Sequence, residues 1–291
     1  MNHLTPFLIE NRGVRGFAVE LTEGLAELLG WRDYSPDVFS LLGQALAATP
    51  LLAADAHTDT KFNLQFQGNG ALALKLLVAQ ATPQPDGSLQ MRGMAKADAT
   101  AKGDFQALMR GGTLACLLEP VKGSNRYQAV VEVAGEKLSE ALEIYFGQSE
   151  QLPTRIRLAA SREKFVGLLL QRLPESGNDD DWVHVHHLIQ TLQEPEHLQV
   201  DASTLLGRLF AEDTVRVFAP RKIQLACQCS HPQISAMLLS LGEEELRPVL
   251  EEQGRVDVTC EYCGKSYGYT DVEVRALFAA VHAGAGGQTL Q

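Results

Sequence analysis

Basic charge and cysteine are both scarce in this chain, and each scarcity narrows what it can be. Lys and Arg number 25 against 36 Asp and Glu, for a formal net charge of −11. That balance excludes a broad nucleic-acid or anionic-membrane surface, since both need a basic face. Long apolar runs are also missing. The best candidate, Gly70 to Ala79, falls short of the roughly 18 residues of a bilayer span and is broken by Lys75. Met1-Asn2-His3-Leu4-Thr5-Pro6 shows no basic stretch leading into an apolar one. No secretory leader is therefore read, and a cytoplasmic protein is expected. Walker A, G-x-S-x-G, H-E-x-x-H and a G-x-G-x-x-G in strand–helix context do not occur, so the usual signatures of nucleotide enzymes and hydrolases are lacking.

What is present is ordinary globular material, 45% apolar and 21% charged. At about 150 residues per domain, 291 residues suggest about two domains. Strict alternation in Lys61-Phe62-Asn63-Leu64-Gln65-Phe66-Gln67 predicts a half-buried strand. Further strands are expected at Thr5–Glu10, Val14–Leu21, Ala71–Val78, Leu89–Ala95, Gly112–Leu118, Tyr127–Val133, Arg155–Ala159 and Phe165–Gln171. Gly68-Asn69-Gly70 reads as the turn of a hairpin. Val38, Leu41, Leu42, Ala45 and Leu46 recur at helical offsets, predicting an amphipathic helix over Asp37–Ala54, and Leu138–Phe146 repeats the pattern. Strands arrive in groups instead of alternating with helices, so the expected class is α+β, with a sandwich-like N-terminal core.

Composition changes at Pro174, where Pro, Gly and the acidic Asp179-Asp180-Asp181 mark a boundary. Short helices at Trp182–Leu192 and Ala202–Phe210 follow, with few large apolar residues per turn and Pro195 between them. Such a segment leans on its neighbours and is a candidate for local unfolding. The expected division is a core at 1–173, a helical linker at 174–220 and a small C-terminal α+β module at 221–291. In that module Ser230/Gln233 and Thr270/Glu273 are capping boxes that open helices, and Arg255–Thr259 and Ser266–Tyr269 are strands.

Four of the five cysteines sit in two tight pairs, Cys227-Gln228-Cys229 and Cys260-Glu261-Tyr262-Cys263, with 30 residues between them. In a reducing compartment such pairs are metal ligands or redox thiols before they are structural disulfides. Four thiolates complete a structural zinc tetrahedron, and a module this small would draw much of its folding free energy from the ion. Oxidation within each pair would remove the ligands and that energy together. Spacing alone does not choose between a permanent zinc and an oxidisable one. Cys116, set in Leu114-Ala115-Cys116-Leu117-Leu118, reads as a core thiol. His184, His186, His187 and His197 have no acid or cysteine at ligand spacing, so they read as a solvated helix face.

The stretches Arg216-Val217-Phe218-Ala219-Pro220, Cys227-Gln228-Cys229-Ser230, Leu241-Gly242 and Val258-Thr259-Cys260-Glu261-Tyr262-Cys263 together resemble the thirty-three-kilodalton heat-shock chaperonin family of redox-regulated holdases. Ile9-Glu10-Asn11, Val14-Arg15-Gly16 and Tyr145 through Arg155 are similar to the same family's N-terminal domain. The resemblance implies a non-enzymatic, ATP-independent chaperone that is a zinc-bound, largely inactive monomer when reduced. It also implies that oxidants form Cys227–Cys229 and Cys260–Cys263 disulfides and release Zn2+. The module and linker would then unfold, and a homodimer would hold unfolded clients.

Two other classes compete. A zinc-ribbon nucleic-acid binder needs a basic stripe, whereas residues 221–291 hold six basic and nine acidic side chains. A thiol oxidoreductase would open a helix with its C-x-x-C after a strand, and here that pair lies between two short strands.

Overall fold

The computed structural model describes residues 1–54, 59–69, 72–120, 127–174 and 177–285, with side chains to residue 279. The chain divides into two units, Met1–Ala226 and Cys227–Gln291. In the first, strands β1 (His3–Ile9) and β2 (Val14–Leu21) precede helices α1 (Leu25–Leu29) and α2 (Pro36–Leu52). Then come β3 (Thr60–Gln67), β4 (Leu74–Pro83), β5 (Leu89–Ala97), α3 (Phe105–Met109), β6 (Thr113–Pro120) and β7 (Tyr127–Glu132). Helix α4 (Leu138–Tyr145) leads to β8 (Thr154–Ala160) and β9 (Phe165–Arg172). Helices α5 (Asp179–Thr191), α6 (Glu194–Gln199) and α7 (Ala202–Leu209) follow, and short strands β10 (Val215–Val217) and β11 (Arg221–Leu225) end the unit. Of the expected hairpin turn, Gly70 lies outside the described residues, as do Glu175 and Ser176 of the expected boundary.

These strands join in one sheet ordered β7-β6-β3-β4-β5-β11-β1-β2-β9-β8, with β10 paired to β1. The fold is α+β, as expected. The joint of the sheet is β11, parallel to β5 with Ile223 opposite Leu89, and antiparallel to β1 with His3 opposite Lys222. Arg221–Leu225 was expected to open the C-terminal module and instead completes the large sheet. With one deeply buried residue, Ile223, the strand is too short to show an alternation in sequence.

Helix α2 departs from its expected single stripe. Val38, Leu41, Leu42, Ala45, Leu46, Ala47, Ala48 and Leu51 are all buried, because the helix packs on β4 and β5 from one half of the sheet and on β2, β8 and β9 from the other. The sheet curls around it. Ser35 caps the helix by accepting from the Val38 N–H. Gly43 lets β9 approach, since a Cβ there would lie 2.6 Å from the Phe165 ring.

The opposite face of β1, β2 and β9 is covered by the segment of α5–α7, the expected linker, which lies within the first unit. Phe7, Ile9, Val14, Ala18, Leu168 and Leu170 pack against Val185, Ile189, Leu192, Leu205, Leu206 and Phe210. Six deeply buried side chains are thin cover for about thirty ordered residues, each costing about 1–2 kcal/mol of backbone entropy. Polar contacts supplement it. The Arg12 guanidinium lies 2.8 Å from both Asp181 and Asp213, and Asp213, whose side chain is fully buried, also accepts from Asn11 at 3.0 Å. The acidic run Asp179–Asp181 is the first turn of α5, closed by a reciprocal Asn178/Asp181 cap, where carboxylates favour the N-terminal dipole. Helix α6 was not expected. Pro195 reads as a breaker in sequence, but in a helix's first turn it costs nothing because that N–H has no partner.

The second unit carries α8 (His231–Leu241), α9 (Glu243–Gln253), a hairpin of β12 (Arg255–Thr259) and β13 (Ser266–Thr270), and α10 (Asp271–Ala285). Ser230 accepts from the Gln233 N–H and Thr270 from the Glu273 N–H, as the capping patterns predict. Its core is small: Ile234, Leu238, Leu246, Val256, Tyr267, Tyr269 and Val274.

Candidate metal centre

Two ligand turns carry the cysteines. Cys227 and Cys229 lie in the coil just before α8, whereas Cys260 and Cys263 lie in the turn between β12 and β13. That turn is closed by the Gly264 N–H donating to the Cys260 carbonyl at 2.8 Å and the Cys260 N–H donating to the Lys265 carbonyl at 2.9 Å. Gly264 takes φ 72°, a left-handed conformation that glycine adopts without a Cβ clash. The thirty intervening residues form α8, α9 and β12, which return the chain to its starting point.

All four sulfurs lie within 4.8 Å of one another. Two of the approaches run between the pairs, Cys227 to Cys260 at 3.6 Å and Cys229 to Cys263 at 3.4 Å. A tetrahedron with metal–sulfur bonds of about 2.3 Å has its sulfurs about 3.8 Å apart, so the spacing fits a four-thiolate ion site. Electrostatics agrees. Burial pushes the Cys263 thiol up to about 12 and raises Cys227 as well. Burial acts the same way on Cys229, but the Tyr267 hydroxyl and the neighbouring thiols outweigh it and lower that group. Four thiolates this close are stable together only with a cation between them.

Packing around the sulfurs includes a residue that spacing did not single out. Tyr267, 1% exposed, donates its hydroxyl to the Cys229 sulfur at 3.2 Å. The one sequence signal for it is alternation in β13, which places Tyr267 and Tyr269 on the same face. Cys116 is 2% exposed on β6, and burial raises its thiol to about 12, in keeping with a core role. The histidines depart from the expected solvated face. His184 meets Asp213 at 3.3 Å, His186 meets the Arg155 side chain, and His197 is 4% exposed. The cause is the docking of the linker on the sheet; only His187 of the four is exposed. No second metal-ligating set of three or more groups is found among the described residues. No helix among them is long and apolar enough to cross a membrane.

Fold and site together define a large curled-sheet α+β unit followed by a small module that gathers four thiols able to hold a metal ion. A family model described as Hsp33 protein matches residues 2–270. The chain is 37% identical over 276 residues to the 33 kDa chaperonin of Shewanella loihica, covering 94% of this chain and 95% of that protein. It is 39% identical over 279 residues to the 33 kDa chaperonin of Nitrosococcus oceani, covering 95% and 94%. The crystal structure of the 33 kDa chaperonin from Thermotoga maritima superposes with a TM-score of 0.80 at 20% identity, covering 97% of this chain and all of that one, which bears on the fold alone. The chain belongs to the Hsp33 family, a family of chaperones and not of enzymes.

Proposed function

We propose that this chaperone is a cytoplasmic, ATP-independent holdase governed by thiol oxidation. The observation that carries the reading is the convergence of Cys227, Cys229, Cys260 and Cys263 within 4.8 Å, in a module whose own core is seven residues. Bound to these four sulfurs, Zn2+ would supply folding free energy that so small a core lacks.

The roles divide along the chain. Residues 1–173 form the client-binding core, 174–220 the cover, and the thiol module the sensor. In the reduced protein the linker helices occupy the apolar face of β1, β2 and β9, and the monomer is silent. Oxidation joins Cys227 to Cys229 and Cys260 to Cys263; four thiols lose four electrons, and two equivalents of peroxide are reduced to water. Each disulfide consumes two of the four gathered sulfurs, so closure of both pairs leaves no thiolate to hold a metal ion.

The link from sensor to cover is covalent. Cys227 follows Ala226, whose N–H donates to the Met91 carbonyl at the end of β11. An unfolding module therefore frays the chain at the strand that returns the linker to the sheet. Loss of β11 and β10 releases the linker from behind, and its thin apolar contact gives way. The uncovered face would take up unfolded clients and pair two copies as a homodimer.

The test is zinc content, oligomeric state and suppression of client aggregation, measured on reduced and peroxide-treated protein. The proposal expects Zn2+ loss, dimers and aggregation suppression together, and without ATP. Oxidised protein that loses Zn2+ but leaves aggregation of a thermally unfolded client unchanged would overturn it.

A further inference from the structure

The four sulfurs of the thiol module differ in how their lone pairs are engaged by the protein. The Cys229 backbone N–H serves the Cys227 sulfur, and the Lys265 backbone N–H serves the Cys263 sulfur. Cys229 receives a side chain, the Tyr267 hydroxyl at 3.2 Å. Backbone donors are fixed by the ligand turns themselves. The tyrosine donor is fixed by packing, and it is the one that a single substitution can remove.

That packing is well determined. The Tyr267 ring is buried in the module core among Ile234, Leu238, Val256 and Val274. Its edge meets the His231 ring at 4.9 Å, nearly perpendicular, and the Lys265 ammonium lies 5.3 Å over its face. The hydroxyl is thus held at the sulfur by the body of the module and cannot swing to water without unpacking it.

From this geometry we infer that Tyr267 is a positioning residue that protects the Cys229 thiolate, slowing both loss of the metal ion and attack on that sulfur. An O–H donor on a thiolate ties up the lone pair that a proton or an electrophile needs, and it holds the sulfur in its ligand orientation. A partner of this kind typically changes metal affinity by about 10–100-fold. The inference rests on the proposed zinc site and concerns how firmly that site is held. Residue Tyr267 would thereby set the oxidant level at which the switch opens.

A variant pair tests it on the full-length protein. Tyr267→Phe removes the hydroxyl and keeps the ring. Tyr269→Phe, in the same strand and core, removes a hydroxyl that contacts Ser235 at 3.1 Å and the His231 carbonyl at 3.2 Å. Three quantities are compared in reduced protein: Zn2+ transfer to a chromophoric chelator, alkylation of Cys229 by iodoacetamide followed by peptide mass spectrometry, and the thiolate-to-cobalt charge-transfer band after loading with Co2+. Tyr267→Phe is expected to raise the Zn2+ release rate about 10-fold or more, raise Cys229 alkylation with it, and shift the band to lower energy. Tyr269→Phe is expected to leave the band and both rates near wild type. Equal acceleration in the two variants, or none in Tyr267→Phe, would reduce the tyrosine to packing and overturn the inference. A wrong holdase reading would appear only in the aggregation assay and leave these three readouts unaffected. Failure of the protein to bind Zn2+ or Co2+ at all would refute the metal site itself and this inference with it.

Discussion

Replacing Phe210 with alanine separates the linker's hold on the sheet from the chemistry of the thiols. Phe210 ends the α7 segment with 2% exposure, and its ring centroid lies 6.3 Å from that of Phe7 on β1. Its carbonyl accepts from the Asp213 N–H at 3.0 Å, which ties the end of α7 to the residue whose carboxylate Arg12 engages. Truncating a buried Phe costs about 3–5 kcal/mol, part of it from the cavity left behind. Taking about 3 kcal/mol, and tenfold per about 1.4 kcal/mol, the open linker becomes roughly 150 times more populated. In reduced, zinc-loaded Phe210→Ala, the amides of α5, α6 and α7 should exchange hydrogen faster by about that factor. Those of β9, paired on both sides by β2 and β8, should keep their protection. The same sample should suppress client aggregation without any oxidant. If linker exchange rises by the expected factor while the reduced protein stays silent, uncovering this face is not what activates the chaperone. If exchange does not rise, the linker is not held by this contact.

Other substitutions probe the remaining contacts. Arg12→Ala leaves the buried Asp213 carboxylate with Asn11 and His184 alone, a loss of about 1–3 kcal/mol; it should lower the peroxide concentration at half-activation, and added salt should narrow its gap from wild type. His197 is held neutral by burial, with Lys164 adding to the effect, at about 4 against an ordinary 6.5. Its contribution is present above pH 6.5 and is lost as pH falls toward 4, by about 3 kcal/mol in full, so linker exchange should quicken over that window and His197→Leu should flatten the dependence relative to wild type. Cys116→Ala should leave the oxidation response unchanged, and in folded wild type this thiol should resist alkylation under conditions that label the module's cysteines after Zn2+ removal.

How much of this was legible in the sequence depends on the range over which each feature is determined. The pairing of the four cysteines was, because two short spacings are local, as were the caps at Ser230 and Thr270. The alternation of Thr60–Gln67 and the period of α2 were legible as elements. The breadth of the buried face of α2 was not, because it follows from a sheet that curls back upon the helix. Strand β11 was assigned to the wrong unit, since its pairing with β1 and β5 joins residues more than a hundred positions apart. The same distance hid the Arg12 contacts with Asp181 and Asp213 and turned His184, His186 and His197 from solvated into paired or buried groups. Residue Tyr267 was hidden for a different reason: a tyrosine in an alternating strand announces burial and says nothing of which sulfur its hydroxyl meets.

The central claim is that the four thiols hold the linker closed through a metal ion. It is tested most directly by following Zn2+ content, free-thiol count and suppression of client aggregation in one sample during titration with peroxide. The account predicts that aggregation suppression rises in step with the loss of Zn2+ and of the four thiols Cys227, Cys229, Cys260 and Cys263, and that a thiol reductant supplied with Zn2+ reverses all three. Full suppression by protein that still retains its Zn2+ and all four thiols would contradict it.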